Sequence, residues 1–304
     1  MKLINSRVEM WFGGYCAFAL PEIWKHIARC ARVCYQSEPR NNDETDEEFI
    51  KRVILRNHSF EEIAKSRELQ LKLHLSVLEH GTVYLFIPVG DYDKALIYLD
   101  NPYSMVYVDK FYNSYITTNM RVIIENNRMR DLKYLCHPDI HFYLRTTFNI
   151  ITDIGVAREL ARHRSHSISE ESTRFCNYSK DKFDNELTFI KPEWFNSLYI
   201  DKDGHWDNIG YYSHDDRGQI EDFYAGGLLV AERNYLYLLK CGWSPQQARQ
   251  VLPLSTKVQT IHTAFNDDWE EFIKLRADAC SGSVHPNMKM IANTIRSKLY
   301  GTNE

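Results

Sequence analysis

Residues 141–151 alternate with a period of two. Phe142, Leu144, Thr146, Phe148 and Ile150 fall on one face, and His141, Tyr143, Arg145, Thr147 and Asn149 on the other. Only extended backbone sends neighbouring side chains to opposite sides, so the repeat predicts a strand. Thr152-Asp153 follows at once and is placed to cap a helix over about 154–164. A strand that runs straight into a capped helix fixes the local chain path. Whatever follows that helix is then rigid on one side and accessible on the other.

Helical signals dominate elsewhere. Pro21 opens a helix over 21–34, with Ile23, Ile27, Ala28 and Ala31 along it. After an acidic, polar loop at 36–44, Thr45 and Glu48 form a capping box for a helix to about Arg56. A further helical stretch precedes His74–His80, and 82–88 reads as a strand. Residues 89–116, rich in Tyr and Asp, read as an irregular excursion, and 198–216 as a surface insertion. A long helix over about 218–240 stops at Gly242, a residue suited to the left-handed position after a helix. Ser244 and Gln247 cap another helix that ends by Pro253, and Asn266 is placed to cap one through about 279. Pro286 opens the last, with Met288, Ile291, Ala292, Ile295 and Leu299 inward. Strands and helices do not alternate regularly, which excludes a doubly wound sheet and gives an α+β class.

Bulk charge narrows the function. The chain has 37 Lys+Arg against 41 Asp+Glu, a formal net charge of −4. A general nucleic-acid coat would be basic, so no nucleic-acid partner is expected. No apolar run approaches the roughly 20 residues that cross a bilayer, and the patch Trp11–Leu20 is broken by Gly13 and Gly14. No membrane partner and no secretory leader are expected. Cysteines stand at 16, 30, 34, 136, 176, 241 and 280, an odd set without a CxxC pair. That pattern argues against a disulfide framework or a zinc ribbon and for reduced thiols in the cytoplasm. No metal site is expected.

The stretch from Arg158 to Arg174 is unlike the rest. Arg158, Arg162, Arg164 and Arg174 crowd there with His163, His166, Glu170, Glu171, Ser172 and further serines. Arg158 and Arg162, four apart, would share a helical face. A solvated charged surface is one reading. The other is an anion site, because guanidinium forks and hydroxyls together match a phosphate. Arg276 continues an apolar stripe made by Trp269, Phe272 and Ile273, so it needs an acidic partner, an anion, or a path out to water. His74 and His80, six apart, do not have the spacing of a helical metal pair. GxGxxG and GxxxxGK[ST] are absent, so neither a Rossmann nor a P-loop nucleotide grip is supported.

Arg162-His163-Arg164 followed after seven residues by Ser172 resembles the RHRx7S signature of the flavin-dependent thymidylate synthases, the ThyX family. Glu171–Ser179 (ESTRFCNYS), His74–His80 (HLSVLEH), Ala248–Pro253, Leu275–Asp278 and His285–Met288 resemble further family segments in family order. The resemblance implies a ThyX-like α+β fold, a mostly antiparallel sheet flanked by helices. It implies one domain over 1–304, with insertions near 89–116 and 198–216, assembled as a homotetramer with active sites shared between subunits. It implies dUMP as substrate, FAD as cofactor, and NADPH and the folate 5,10-methylenetetrahydrofolate as co-substrates. By motif position, Ser76, Glu79, Arg162, His163, Arg164 and Glu170 would contact FAD. Glu159, Arg162, Glu170, Ser172, Arg174 and Arg249 would surround dUMP, and Arg276 would activate the uracil. Phe175 stands where the family has Tyr, and Glu159 where some members have Gln, so Glu159 is expected to meet the sugar or an arginine. No cysteine nucleophile is needed.

Two rival readings remain. The same fold can carry a pyrimidine nucleotide hydroxymethylase, and the Arg/His run can bind nucleic-acid phosphates without catalysis.

Overall fold

The computed structural model describes residues 1–13, 19–37, 43–195, 200–205, 216–280 and 282–301. Most of the expected insertion at 198–216, the centre of the acidic loop at 36–44 and the middle of Trp11–Leu20 lie outside the described residues. The chain opens with β1 (Lys2–Ile4), β2 (Arg7–Phe12) and α1 (Leu20–Tyr35). Three short helices follow, α2 (Asp46–Val53), α3 (Phe60–Lys65) and α4 (Arg67–Lys72). Both hydrogen bonds of the Thr45–Glu48 capping box form. A tight helical turn over Leu75–His80 leads into β3 (Thr82–Ile87).

Residues 89–116 are more regular than the sequence implies. They hold a turn at Val89–Lys94, α5 (Leu96–Leu99), β4 (Met105–Val108) and the start of β5 (Ser114–Asn119), and β4 pairs antiparallel with β5. Asp109 shapes the hairpin loop by accepting hydrogen bonds from the amides of Phe111 and Asn113 at 2.8 and 2.9 Å. Side-chain closure of that kind stabilises turns. Next come α6 (Met120–Glu125), β6 (Arg145–Asp153), α7 (Ile154–Leu160), β7 (Ser167–Glu170) and β8 (Thr188–Ile190). The chain closes with α8 (Asp216–Lys240), α9 (Pro245–Ala248), β9 (Lys257–Phe265), α10 (Asn266–Arg276) and α11 (Pro286–Tyr300).

The main sheet has the order β2-β6-β9-β7 and is antiparallel throughout. A second antiparallel sheet has the order β3-β5-β4, and β1 pairs parallel with β8. Helices flank the sheets, which confirms the α+β class. Strand β6 begins at Arg145 rather than at 141, because Asp139 folds the preceding residues into a turn by accepting from the His141 amide at 2.9 Å. From there every residue to Asp153 is buried. Phe148 and Ile150 pack on Trp269 of α10 and on Met288, Ile291 and Ile295 of α11. Burial of each such side chain contributes roughly 1.5–3 kcal/mol. Asn266 does not cap α10. It is the first helical residue, and its side chain instead accepts a hydrogen bond from Thr146 at 2.7 Å. The helix ends at Arg276, short of 279, and Ala279 takes a left-handed φ of 54°.

The opposite face of the sheet meets α1 and the Leu75–His80 turn through polar side chains. Gly81 lets them approach: a methyl group there would come within 2.5 Å of the Ile27 side chain. His80 is fully buried and bonds Thr263 at 2.7 Å and Ser169 at 2.9 Å, so it serves the structure. Thr263 also bonds Thr147 at 2.7 Å, and Thr147 bonds His26 at 3.2 Å. Among the described residues no helix is long and apolar enough to cross a membrane.

Burial keeps these histidines neutral. It lowers His26 to about 4 and His262 to about 3, and holds His80 and His166 well below the ordinary value. An unfolded chain takes up protons near pH 6.5 that the folded chain refuses, so stability falls as pH drops from about 6.5 toward 4. Calorimetry should show the melting temperature falling across that window. His80→Gln, which keeps a donor and an acceptor without a titrating ring, should flatten the fall. A wild-type profile that is level from pH 7 to 5 would contradict this account.

Candidate functional site

The site is built around α7. Asp153, the last residue of β6, caps it by accepting from the Val156 amide at 2.8 Å. The cap ties the helix directly to the most buried strand. Val156 and Leu160 point into the core, which leaves Arg158 exposed and Glu159 half-buried at the surface. The helix ends at Leu160, earlier than the expected 164. The amides of Arg162 and His163 then bond carbonyls three residues back at 3.2 and 3.0 Å, forming tight turns. Arg158 and Arg162 therefore do not share a regular helical face. Arg162 and Arg164 stand exposed in the turn beyond it.

Two clefts flank α7. The first, about 500 Å³, is lined by Arg158, Glu170, Thr173 and Arg249 together with Leu252 and Leu254. Arg249 donates to the Thr173 hydroxyl at 3.4 Å. The second, about 650 Å³, is lined by Glu159, Trp194, Tyr224, His285 and Asn287, and it shares Arg158 and Leu254 with the first. Both are of ligand size. The shared walls make them adjoining chambers of one region, one mostly polar and one mostly apolar.

Arg276 reaches this region from α10. Its Nε donates to His163 Nε2 at 3.1 Å, and a terminal nitrogen lies 3.4 Å from a Glu159 carboxylate oxygen. Glu159 thus faces an arginine, and Arg276 takes an acidic partner while keeping about a quarter of its side chain accessible. Burial, and then the Arg276 charge, lower His163 to about 4. The ring is therefore neutral near pH 7. Because its Nε2 accepts from Arg276, the ring proton sits on the other nitrogen. His163 also packs edge-on against Phe272 at 4.9 Å between centroids.

The other expected residues are distributed unevenly. Ser172 follows Glu171 at the end of β7, its amide bonded to the Cys34 carbonyl at 3.0 Å. Arg174 is exposed and donates to Gln246 at 2.6 Å. It therefore stands beside the helix that precedes Arg249, and makes no direct bond to the Arg276 cluster. Glu171, unlike Glu170, is structural: it is buried and holds Tyr178 at 2.9 Å and Lys257 at 2.6 Å. Ser76 and Glu79 lie on the Leu75–His80 turn, which adjoins the opposite end of β7. Ser76 is exposed, and Glu79 is paired with Arg121 at 2.6 Å. The chain alone does not gather all the expected residues into one cleft.

The strand pattern does not mark Arg145 for a site. It is buried, with 4% exposure, and has no carboxylate within ion-pair distance among the described residues. It donates to the Glu79 carbonyl at 3.0 Å, to Thr82 at 3.2 Å and to Ser167 at 3.4 Å. Those bonds fasten the turn carrying Ser76 and Glu79 to the start of β7. Burial lowers its pKa to about 10, so it remains a cation near neutrality. A charge inside an otherwise alternating strand is the available signal.

No thiol is primed for attack among the cysteines with shifted acidity. Burial raises Cys30 and Cys34, and pushes Cys136 and Cys176 up to about 11. Among the described residues no cysteine lines either cleft, and no cluster of His, Cys, Asp or Glu is arranged to hold a metal ion.

The arginines and the Thr173 hydroxyl on the first cleft are groups of the kind that suit a small anion. The chain belongs to the family described as thymidylate synthase complementing protein, the ThyX or flavin-dependent thymidylate synthase family, whose profile matches residues 113–301. Two solved structures of a UMP/dUMP methylase, PolB from Streptomyces cacaoi, bound with 5-Br UMP and 5-Br dUMP, are similar to it at 18% and 19% identity. The alignments cover 98% of this chain and 92% and 93% of those chains, with a TM-score of 0.43 in each case. No curated protein matches the chain.

Glu170 makes the first cleft sensitive to pH. Its side chain is exposed toward the cleft, and the neighbouring walls remove part of its hydration. That desolvation, reinforced by the Glu171 charge and opposed by Arg158, pushes its carboxyl up to about 7. Ionisation above pH 7 adds negative charge beside Arg158. Sulfate, whose own charge is constant there, should bind more weakly as pH rises from 6 to 8. Glu170→Gln should remove that dependence; an unchanged slope in titration calorimetry would place the sensitive group elsewhere.

Proposed function

We propose that the protein converts dUMP to dTMP, using FAD, NADPH and 5,10-methylenetetrahydrofolate. The observation that carries the reading is the convergence on α7: Arg158, Thr173 and Arg249 on one cleft, and Arg276 fastened one residue further on through Glu159. A nucleotide phosphate carries close to two negative charges, which guanidinium forks and hydroxyls suit. Arg158, Arg249 and Thr173 would hold the phosphate, with Ser172 and Arg174 beside them.

The residues present also fit an anionic dinucleotide. Arg162 and Arg164 are exposed, and their guanidinium groups have no hydrogen-bonded or ion-paired partner among the described residues. Unpaired arginines in a chain with more acid than base favour a bound pyrophosphate. Ser76, Glu79, Arg162, His163, Arg164 and Glu170 would hold FAD. Its reduced form, regenerated by NADPH, supplies the reducing equivalents, while the folate supplies the carbon and leaves as tetrahydrofolate. Subunits of a homotetramer would bring the Ser76–Glu79 turn to a neighbouring cleft.

Arg276 is the residue for which we propose a catalytic role. Held at two points by neutral His163 and by Glu159, it keeps donors for a uracil carbonyl. Fixed positive charge there stabilises negative charge on the ring and makes C5 nucleophilic. Preorganised charge of this kind is commonly the largest catalytic contribution. The raised pKa values of the buried cysteines agree with a route that needs no thiolate.

Arg276→Ala should retain the yellow colour and FAD while losing thymidylate formation by at least about 100-fold, the usual scale for removing one preorganised donor. Full turnover in that variant would remove Arg276 from the chemistry. Arg174→Ala should weaken dUMP binding by about tenfold or more, the loss of a charge-assisted bond of roughly 1.5–3 kcal/mol. Unchanged dUMP affinity would place the phosphate elsewhere. Mass analysis of the product from dUMP, 5,10-methylenetetrahydrofolate and NADPH decides between a methyl and a hydroxymethyl group.

A further inference from the structure

Helix α8 carries apolar residues on two faces. Its inner face places Ala225, Leu228 and Tyr235 in the core against Ala248 and Phe189. Its outer face exposes Ile220, Phe223, Gly227, Val230, Asn234 and Tyr237. Their numbers advance by alternate steps of three and four, the spacing of a seam on which another helix lies. The exposures are large: 68% for Ile220, 81% for Phe223, 46% for Val230 and 65% for Tyr237. Scattered apolar residues need no explanation, but a continuous stripe does. At Gly226 and Gly227 an added methyl would meet nothing within 4 Å, so the backbone itself is open to close approach.

Charge selects the partner. Asp222, Arg233 and Lys240 are exposed and, at helical periodicity, fall on one flank of the stripe. The acid is near the start of the helix and the bases are toward its end. A parallel copy of α8 would turn this flank toward the partner's opposite flank, so Asp222 would meet neither Arg233 nor Lys240 of the partner. An antiparallel copy, related by a two-fold axis near Val230, sets Asp222 within reach of the partner's Lys240. The same axis sets Phe223 opposite the partner's Tyr237 and places Gly226 and Gly227 opposite the bulkier Arg233 and Asn234. Self-complementarity of this kind is what a two-fold interface requires. A polar residue such as Asn234 within an apolar seam fixes register. The helix has 25 residues, about 37 Å at 1.5 Å per residue, long enough to carry the full pattern.

We propose that the outer face of α8 is a self-association surface on which α8 of a second copy lies antiparallel. The assignment rests on the seam and its charges, independently of the reaction proposed above. Trp243, 47% exposed just beyond the helix, extends the apolar surface toward the partner.

Disulfide trapping tests the register in the full chain. In a Cys241→Ser background, Phe223→Cys combined with Tyr237→Cys should give, under mild oxidation, a cross-copy bond joining positions 223 and 237, identified by mass spectrometry. A 237–237 bond instead, or no cross-copy bond, overturns the antiparallel seam. Sedimentation equilibrium tests the charges. Asp222→Lys and Lys240→Asp should each weaken self-association by about fivefold to tenfold, because each reverses two symmetry-related pairs, and the double variant should recover it. Single variants that associate like the wild type, or a double variant as weak as the singles, would sink the proposal. A wild-type chain that stays monomeric at high micromolar concentration would do so as well.

Discussion

The position of Arg158 and Glu159 in the candidate site depends on one junction: the carboxylate of Asp153, at the end of the most buried strand, holding the first turn of α7. Strand β6 cannot shift, because both of its faces are packed and its neighbours on either side are hydrogen-bonded to it. The cap transmits that rigidity to Arg158 and Glu159 within two turns of helix. A single helix then serves two chambers, with consecutive residues divided between them. Arg158 belongs to the walls of both, and Glu159 is the tie to Arg276 on a different helix.

The buried cation at Arg145 follows a different logic. An uncompensated charge inside a protein is costly unless its donors are satisfied. Here the two terminal nitrogens are satisfied by a backbone carbonyl and two hydroxyls rather than by an acid, while the buried Nε has no hydrogen-bond partner among the described residues. The histidines around it are neutral, so they add no like charge. Its three bonds reach two segments that the sequence separates widely, the Glu79 turn and the start of β7. The result is a polar clasp on the side of the sheet away from the apolar layer formed by α10 and α11.

Much of this was legible in the sequence because it is written locally. The alternation in 141–151, the capping boxes at Thr45 and Ser244 and the proline starts of α1 and α11 each depend on residues within a few positions of one another. The Arg158–Arg174 cluster stood out for the same reason. What was not legible depends on distant partners. Asn266 has the composition of a cap, but Thr146 claims its side chain. Residues 89–116 contain a hairpin whose loop is closed by Asp109 and whose aromatic faces hide the alternation. Arg162 left the helical face because the chain tightens after Leu160. The division of the site residues among two clefts and a separate turn has no local signature at all, since it is set by which ends of β7 the elements meet.

The clasp between α10 and the sheet has a consequence for biosynthesis. The indole of Trp269 donates to the Thr146 carbonyl at 3.0 Å, and the same helix delivers Arg276 to Glu159. The strand and the helix α7 leave the ribosome more than a hundred residues before α10 does. A nascent chain can therefore pair β2 with β6 while Arg276 is still unsynthesised, but the apolar layer over β6, which needs Trp269, Met288, Ile291 and Ile295, closes only after α10 and α11 have emerged.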